Sequence, residues 1–491
     1  MNETPTTQLY IDGARTAAAA GGVYPLYNPA KPDELVGHAA DAQIEDLNRA
    51  CDAAHAAFPA WSALSYARRA QYLLDIAEYL VADEQDLKYR SELFCREHGK
   101  ILAETRMEMS RLGDRFRLAA SYAERLAEDE AIQGPPFDTI VTRQPHGPAA
   151  LVVPWNWPLS ILGAKLPHAL MAGSTVVIKP SKSSAMAPVL TIQKIAEKLP
   201  AGVVNVITGS ASQIGDPLLQ HPHIRFINFT GSVPVGKHVM RLAAETLKPV
   251  TLELGGNDAG IVLEDAELDE DAYTRMYFGA FGSTGQICMA LKRLYVVESR
   301  YEDVVAGMTA VCARQVVGDG MLPATTMGPL NNAGQLNIVQ DMIAQARAAG
   351  ADVRELGQVP DQAIYEAGYF QKPTLILDPP RHLDIVREEQ FGPALPIIPV
   401  KDEAEAIAEA NASPFGLCSS VWTADKDRAL RVSKALQAGY TYINNHGPRA
   451  QDSRAPFGGF KDSGIGRNLG YEGVTSFQGY HAMSSVPGWL L

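Results

Sequence analysis

Cysteine is scarce in this 491-residue chain: there are five, odd in number and scattered at positions 51, 95, 288, 312 and 418. That usage excludes a disulfide framework and reads as reduced thiols in a cytoplasmic protein. Neither a Cys-x-x-Cys pair nor a His-Glu-x-x-His motif occurs, so no metal site is expected. Clustered Lys and Arg are missing too, against a net charge of −13, which excludes nucleic acid and anionic membrane surfaces as expected partners. No apolar run reaches the length of a membrane-spanning helix. Met1-Asn2-Glu3-Thr4 has no basic stretch leading into an apolar one, so no signal peptide is expected.

What is present is ordinary globular material, 46% hydrophobic and 20% charged. The length exceeds what one hydrophobic core supports and implies two or three domains. Residues 8–40 read as short strands and hairpins, and Asp41 to Ala127 as a helical layer. In that layer Leu73, Ile76, Ala77 and Leu80 form an apolar stripe at helical spacing. Asp41 and Glu45 flank its first helix as N-terminal acidic residues. Residues 128–150 are polar and broken by Gly134-Pro135-Pro136, an excursion that is either a linker or an arm.

Strand and helix then alternate. Strands are predicted over 149–153, 174–178, 203–207 and 224–229, with helices over 158–172, 187–198 and 211–220 between and around them. This is the rhythm of a doubly wound α/β domain, with ligands at the carboxyl ends of its strands. The second half repeats it: strands at 259–263, 293–297, 369–377, 419–423 and 440–444, and helices at 270–282, 301–315, 333–348, 402–411 and 426–436. The tail, 474–491, is either an interface strand or frayed.

Four junctions carry chemistry. Phe281-Gly-Ser-Thr-Gly-Gln-Ile-Cys288 closes a run of small residues on a lone thiol, with Gly282 and Gly285 free to bend the backbone. Pro154-Trp155-Asn156-Trp157-Pro158 fixes an amide donor of the kind an oxyanion needs. At the third, Glu253 stands beside Gly255 and Gly256, a carboxylate whose partial burial would suit a general base for water. The fourth comprises two strand ends: Ile178-Lys179-Pro180-Ser181-Lys182, with a lysine placed for a ribose hydroxyl or phosphate, and Phe229-Thr230-Gly231-Ser232-Val233-Pro234-Val235-Gly236. The latter offers helix-start amides to a pyrophosphate but lacks the Gly-x-Gly-x-x-Gly fingerprint.

Together with Met327–Leu330, Glu388–Pro393 and Pro456–Arg467, these motifs resemble the aldehyde dehydrogenase superfamily in order and spacing, from about residue 8 to 485. The resemblance implies an α/β fold: a Rossmann-type NAD(P)-binding domain of residues 1–124 and 147–251, a catalytic domain of 252–445, and an oligomerisation arm of 125–146 with 474–491 that builds a homodimer or homotetramer. It implies oxidation of a small-molecule aldehyde to the acid through a cysteine thiohemiacetal and thioester. Cys288 would be the nucleophile, Asn156 an oxyanion donor, Glu253 the base that activates water, and Lys165 a supporting lysine. Cofactor contacts would come from Trp155, Lys179, Ser181, Lys182, Gly231, Ser232, Gly236, Leu254, Glu389 and Phe391. Trp157, Ile161, Ile287, Met289 and Phe457 would meet the substrate. The presence of Glu253 favours hydrolysis over acyl transfer to coenzyme A. A retired scaffold, the reading from outside enzymes, is opposed by Cys288, Glu253, Asn156 and Glu389 standing together.

Departures from the family pattern sharpen two expectations. Lys182 stands where an acid often does, which implies acceptance of NADP as well as NAD. Ala164 and Gly282 replace arginines that succinate-type relatives carry, which argues for an apolar or aromatic aldehyde, with Arg449 and Arg454 as the opposing signal. Asn257-Asp258 also departs from the common pattern, and the residues alone give no reason.

Overall fold

A computed structural model describes residues 4–490. The Met1–Glu3 stretch read for a signal peptide, and the range ends at residues 1 and 491, lie outside the described residues. Two large sheets organise the chain. The first has eight strands in the order Gly464–Ile465, Val250–Glu253, Phe226–Thr230, Ala149–Val153, Val176–Pro180, Val204–Val206, Leu9–Ile11, Ala14–Thr16. Its five inner strands are parallel and almost wholly buried, as expected where helices cover both faces. Numbered in chain order these five run 3-2-1-4-5, the doubly wound order, with its switch point between Ala149–Val153 and Phe226–Thr230.

The second sheet has seven strands, Asp352–Glu355, Thr374–Leu377, Ala394–Val400, Leu291–Val297, Asp258–Val262, Cys418–Trp422 and Tyr440–Ile443, parallel except at its first edge. Only Leu254 to Asn257 separates the carboxyl end of one sheet's Val250–Glu253 from the amino end of the other's Asp258–Val262. The two sheets therefore meet end to end, and the seam between them holds the site.

Several predicted elements need correction. The helix expected over 158–172 is two, Pro158–Gly163 and Leu166–Ala172, because Pro167 can begin a helix but not continue one. The first helix is capped at Gln43 with Asp46 in the reciprocal position rather than at Asp41, while Glu45 stands in its first turn as expected. Thr374–Leu377 is shorter than the 369–377 expected, since Pro373 precedes it. Ala394–Val400 was not anticipated, because Pro396 and Pro399 hide its pattern, yet it lies between two partners.

The polar excursion is an arm of strands. Glu130–Ile132 and Asp138–Pro145 form an antiparallel sheet with Gln478–Ser485, which is paired residue for residue from Gln478↔Pro145 to Ser485↔Asp138. Around it Ile132, Phe137, Tyr480 and Trp489 are exposed. No described helix is long and apolar enough to cross a membrane.

Candidate active site

Residues 283–285 enter the cysteine loop in left-handed backbone, at φ 50°, 59° and 73°. Gly285 needs that freedom: a Cβ there would sit 2.3 Å from the Gly392 carbonyl oxygen. Gly282 does not; its φ is −51°, and the strain expected of it falls on Ser283 and Thr284 instead. Such a loop persists only when its surroundings overdetermine it. Here Ser283 N–H donates to Glu104 at 2.7 Å, Thr284 Oγ1 donates to the Gly328 carbonyl at 3.0 Å, and Gln286 Oε1 accepts from Asn331 N–H at 2.9 Å. The Met327–Leu330 motif thus serves to hold the cysteine loop.

Cys288 follows, half-buried between buried Ile287 and Met289. Its thiol is pushed up to about 12 by burial; Lys292 pulls it down, and Glu389, Glu253 and Asp258 push it further up. Asn156 Nδ2 donates one hydrogen bond to the Gln286 carbonyl at 2.9 Å. An amide carries a second N–H, and Asn156 and Cys288 line the same cavity.

Glu253 ends its strand at the seam, fixed by pairing with Gly464, where a Cβ would sit 2.1 Å from the Leu252 carbonyl oxygen. Its carboxylate is buried, and neither oxygen has a hydrogen-bond partner among the described residues. Burial raises its pKa to about 8, against the opposing pull of Lys165 and Arg467. Lys165, buried at the break between the two short helices, is lowered to about 7 by burial, with Glu253 and Cys288 opposing. Lys165 Nζ donates to Asn228 Oδ1, and Asn228 Nδ2 donates to Asn468 Oδ1 at 2.8 Å, so a polar chain runs from under the site to the cavity wall.

One cavity of about 1010 Å³, counting its open mouth, is lined by Cys288, Glu253, Asn156 and by Trp157, Ile161, Ile287, Met289 and Phe457. All five expected substrate residues therefore face the thiol together. Trp155 lies elsewhere, edge-on to Phe391 at 5.6 Å.

The expected cofactor residues gather at the carboxyl ends of the first sheet. Lys179 is 7% exposed and makes no hydrogen bond or ion pair among the described residues; burial, and the nearby Lys182 charge, lower it to about 8. Ser232 begins the Val233–Ala244 helix with its hydroxyl uncommitted to a cap. A Cβ on Gly236 would strike Leu254 at 2.5 Å, which sets how close that helix lies. Glu389 Oε1 accepts from Lys292 Nζ at 2.6 Å and Gly256 N–H at 3.2 Å, leaving Oε2 without a protein donor among the described residues. A cation without an acid, a spare hydroxyl, free helix-start amides and a free carboxylate oxygen suit the phosphates and ribose hydroxyls of a dinucleotide. The Ser181 hydroxyl meets Ser183, Oγ to Oγ at 3.2 Å, and Lys182 lies 3.6 Å from Asp41 and over the Tyr24 ring.

The sequence reading missed Lys292. Buried one strand residue beyond the loop, it donates to the carbonyls of Gly256 and Cys288, both at 2.8 Å, as well as to Glu389. Its signal was a Lys-Arg pair near the start of an otherwise apolar strand, Leu291–Val297. Asn257 and Asp258, unexplained by sequence, are structural: Asn257 Nδ2 donates to the Val386 carbonyl, and Asp258 accepts from Cys418 N–H at 3.0 Å.

The family profile described as the aldehyde dehydrogenase family matches residues 16–482. The chain belongs to that family. Its activity class is NAD(P)-dependent oxidation of an aldehyde to the acid. Among curated relatives it is 35% identical over 474 residues to the glutarate-semialdehyde dehydrogenase of Pseudomonas aeruginosa, covering 96% of this chain and 95% of that one. It is 36% identical over 479 residues to the NADP(+) succinate-semialdehyde dehydrogenase of Escherichia coli, covering 96% of each. A crystal structure of a putative aldehyde dehydrogenase from Burkholderia cenocepacia superposes with a TM-score of 0.92 at 33% identity, covering 98% of this chain and all (100%) of the other. Betaine aldehyde dehydrogenase from Staphylococcus aureus, solved with NAD+, superposes at 0.91 with 29% identity, covering 99% of this chain and 95% of that one.

Proposed function

We propose that this enzyme oxidises its aldehyde through a covalent thioester on Cys288 that Glu253-activated water hydrolyses. The observation that carries the reading is a single cavity holding a thiol, an amide donor and a buried carboxyl with no hydrogen-bond partner. Having passed its proton to water, the Cys288 sulfur attacks the aldehyde carbon; the C–S bond forms and the carbonyl π pair becomes an alkoxide. The spare N–H of Asn156 and the backbone N–H of Cys288 hold that charge, a contribution worth about 10²–10³ in rate per donor. When bound, NAD(P)+ supplies the hydride acceptor that balances the oxidation of this carbon to the acyl level. Glu253 then takes a proton from water as the oxygen attacks the thioester, the C–S bond breaks, and the acid leaves with Cys288 regenerated. The raised pKa of Glu253 matches a base working near neutral pH. Lys165, through Asn228 and Asn468, keeps the floor of the site rigid.

Lys179, Ser232, the first amides after it, Glu389 and the Trp155–Phe391 pair would hold the dinucleotide, with Ser181, Gly231, Gly236 and Leu254 shaping the approach. Residues 1–124 and 147–251, which supply most of the eight-stranded sheet, serve as the cofactor domain and 252–445 as the catalytic domain, with Gly464–Ile465 returning to the edge of the first sheet. NADP is accepted as well as NAD, because Lys179 and Lys182 gather two cations against the single acid Asp41. Lys182→Glu should lower the NADP-to-NAD ratio of kcat/KM by about tenfold; an unchanged ratio sinks that assignment. The arm formed by 125–146 and 474–491 joins copies into a homodimer or homotetramer, supported by its exposed aromatic residues. Cysteine usage favours the cytoplasm.

The test is the near-ultraviolet absorbance of reduced cofactor across a panel of aldehydes with NAD and NADP, beside Cys288→Ala. Turnover that vanishes in the variant is expected. Turnover that survives it, or that requires coenzyme A, rejects the mechanism.

A further inference from the structure

The Leu102–Ala120 helix lays Met107, Glu108, Arg111, Leu112 and Arg115 along one wall of the cavity that holds Cys288. Two arginines on that face are unexpected in a tunnel otherwise floored by apolar side chains. We propose that they form an anion subsite, and that the physiological substrate is an aldehyde whose far end carries an oxyanion, a carboxylate or a phosphate ester, held by Arg115 with Arg111 and Arg449. The inference rests on the aldehyde-oxidising reading given above and adds the chemistry of the substrate's tail.

Arg115 carries most of the weight. Its side chain crosses Gly163, where a Cβ would come within 2.9 Å of Arg115 Cγ, so the glycine makes room for the arginine stem. Its Nη1 is buried with no hydrogen-bond partner, and the guanidinium makes no ion pair among the described residues. An orphaned guanidinium donor costs free energy unless something satisfies it, and its planar fork matches a carboxylate or phosphate in two-point contact. Burial lowers its pKa, with exposed Asp114 opposing and the like charge of Arg111 adding to the fall, so an arriving anion would stabilise the charged guanidinium.

Arg111 lies one helical turn earlier at the mouth, also without a carboxylate partner among the described residues. Arg449 lines the same cavity, its guanidinium 3.7 Å over the Phe278 ring and in no ion pair among the described residues; its charge is felt by Glu104, which already accepts from Ser283 N–H. Of the two acids on the lining, Glu108 is already neutralised by Lys100 at 2.6 Å and by the amides of Leu159 and Ser160. Glu253 stands at the thiol end with its pKa raised. Neither acid on the lining pairs with the three arginines among the described residues, and Trp157, Ile161 and Phe457 on the same lining offer an apolar path for a methylene stem. Arg454, the other arginine singled out in sequence, is excluded: it is exposed and paired with Asp452 at 2.6 Å. The missing arginines at Ala164 and Gly282 therefore do not make the tunnel neutral; the cations come from a different helix.

The experiment compares kcat/KM for an ω-oxo carboxylate, an ω-oxoalkyl phosphate and the alkyl aldehyde of equal length, in wild type, Arg115→Gln, Arg115→Lys and Arg449→Gln. Wild type is expected to favour one anionic aldehyde over the neutral one at least about tenfold, mostly through KM. Which anion wins identifies the tail. Arg115→Gln should reduce that ratio about tenfold, and Arg115→Lys should recover part of it. A wild type that prefers the neutral aldehyde, or variants that lower all three substrates in proportion, overturns the proposal. Calorimetric titration with a short α,ω-dicarboxylate against the matching diol gives a readout without turnover. Dicarboxylate binding that Arg115→Gln weakens at least about tenfold supports the subsite even if no aldehyde is oxidised, in which case it is the redox reading that falls. Equal behaviour of dicarboxylate and diol rejects the subsite.

Discussion

Glu108 and Glu253 line the same cavity and are withdrawn from solvent to a similar degree, at 2% and 6% exposure. Glu108 has an ammonium at 2.6 Å on one oxygen and two backbone amides at 2.8 and 2.9 Å on the other. Its lone pairs are spoken for, and it fixes the start of the Pro158–Gly163 helix to the helical layer. Glu253 has none of this: both oxygens lack partners among the described residues, and burial holds its pKa at about 8. A buried carboxylate surrounded by donors is structure, whereas one without them can accept a proton from water. The lysines divide in the same way. Lys292 holds two carbonyls and Glu389, while Lys165 meets only an amide oxygen and is lowered to about 7.

This contrast can be broken by mutation. Glu253→Gln should lower kcat by about 10²–10⁴ and leave the melting temperature level or higher, because it removes a buried ionisable group that no hydrogen bond satisfies among the described residues. Glu108→Gln should do the reverse in kind, destabilising the fold by about 3–5 kcal/mol in chemical denaturation, since Lys100 is left buried and unpaired. If Glu253→Gln unfolds the protein while Glu108→Gln leaves its stability intact, the division of roles is wrong. Lys292→Met should cost about 3 kcal/mol and loosen the cysteine loop by stranding Glu389 and two carbonyls, read as faster alkylation of Cys288 in the folded protein.

A smaller effect lies in pH. Glu253 must be ionised to act, so kcat limited by thioester hydrolysis should climb with pH and level off above about 8. That limb should be absent in Glu253→Gln. The stability sign is opposite. The folded carboxyl holds its proton to about 8 while an unfolded one releases it near 4.5, so the stability contributed by the neutral form is full below 4.5 and is lost as pH rises to about 8. Melting temperature should therefore fall more steeply over that window in wild type than in Glu253→Gln.

The parts of the site that sequence made legible are those where chemistry and backbone are local. Asn156 follows a strand, Glu253 ends one and Cys288 leads into one, each inside a short motif, and the structure brings all three to one cavity. What stayed hidden depends on distant partners. Arg115 is an unremarked residue of an amphipathic helix until Gly163 and the cavity wall lie beside it. Gly464 shows nothing of its pairing with Glu253 until Gly464–Ile465 returns to the edge of the first sheet. Ala394–Val400 was masked by its prolines, because strand periodicity cannot show which amides a parallel sheet leaves free. Gly285 bends as expected, but the bend assigned to Gly282 falls on Ser283 and Thr284, since composition alone suggests who should bend.

The most direct test is mass spectrometry of Glu253→Gln mixed with aldehyde and oxidised cofactor, then quenched in acid. Hydride loss with blocked hydrolysis should yield one equivalent of reduced cofactor in a burst, and an acyl adduct on the peptide containing Cys288. Steady turnover at the wild-type rate with no adduct would contradict a thioester awaiting Glu253-activated water.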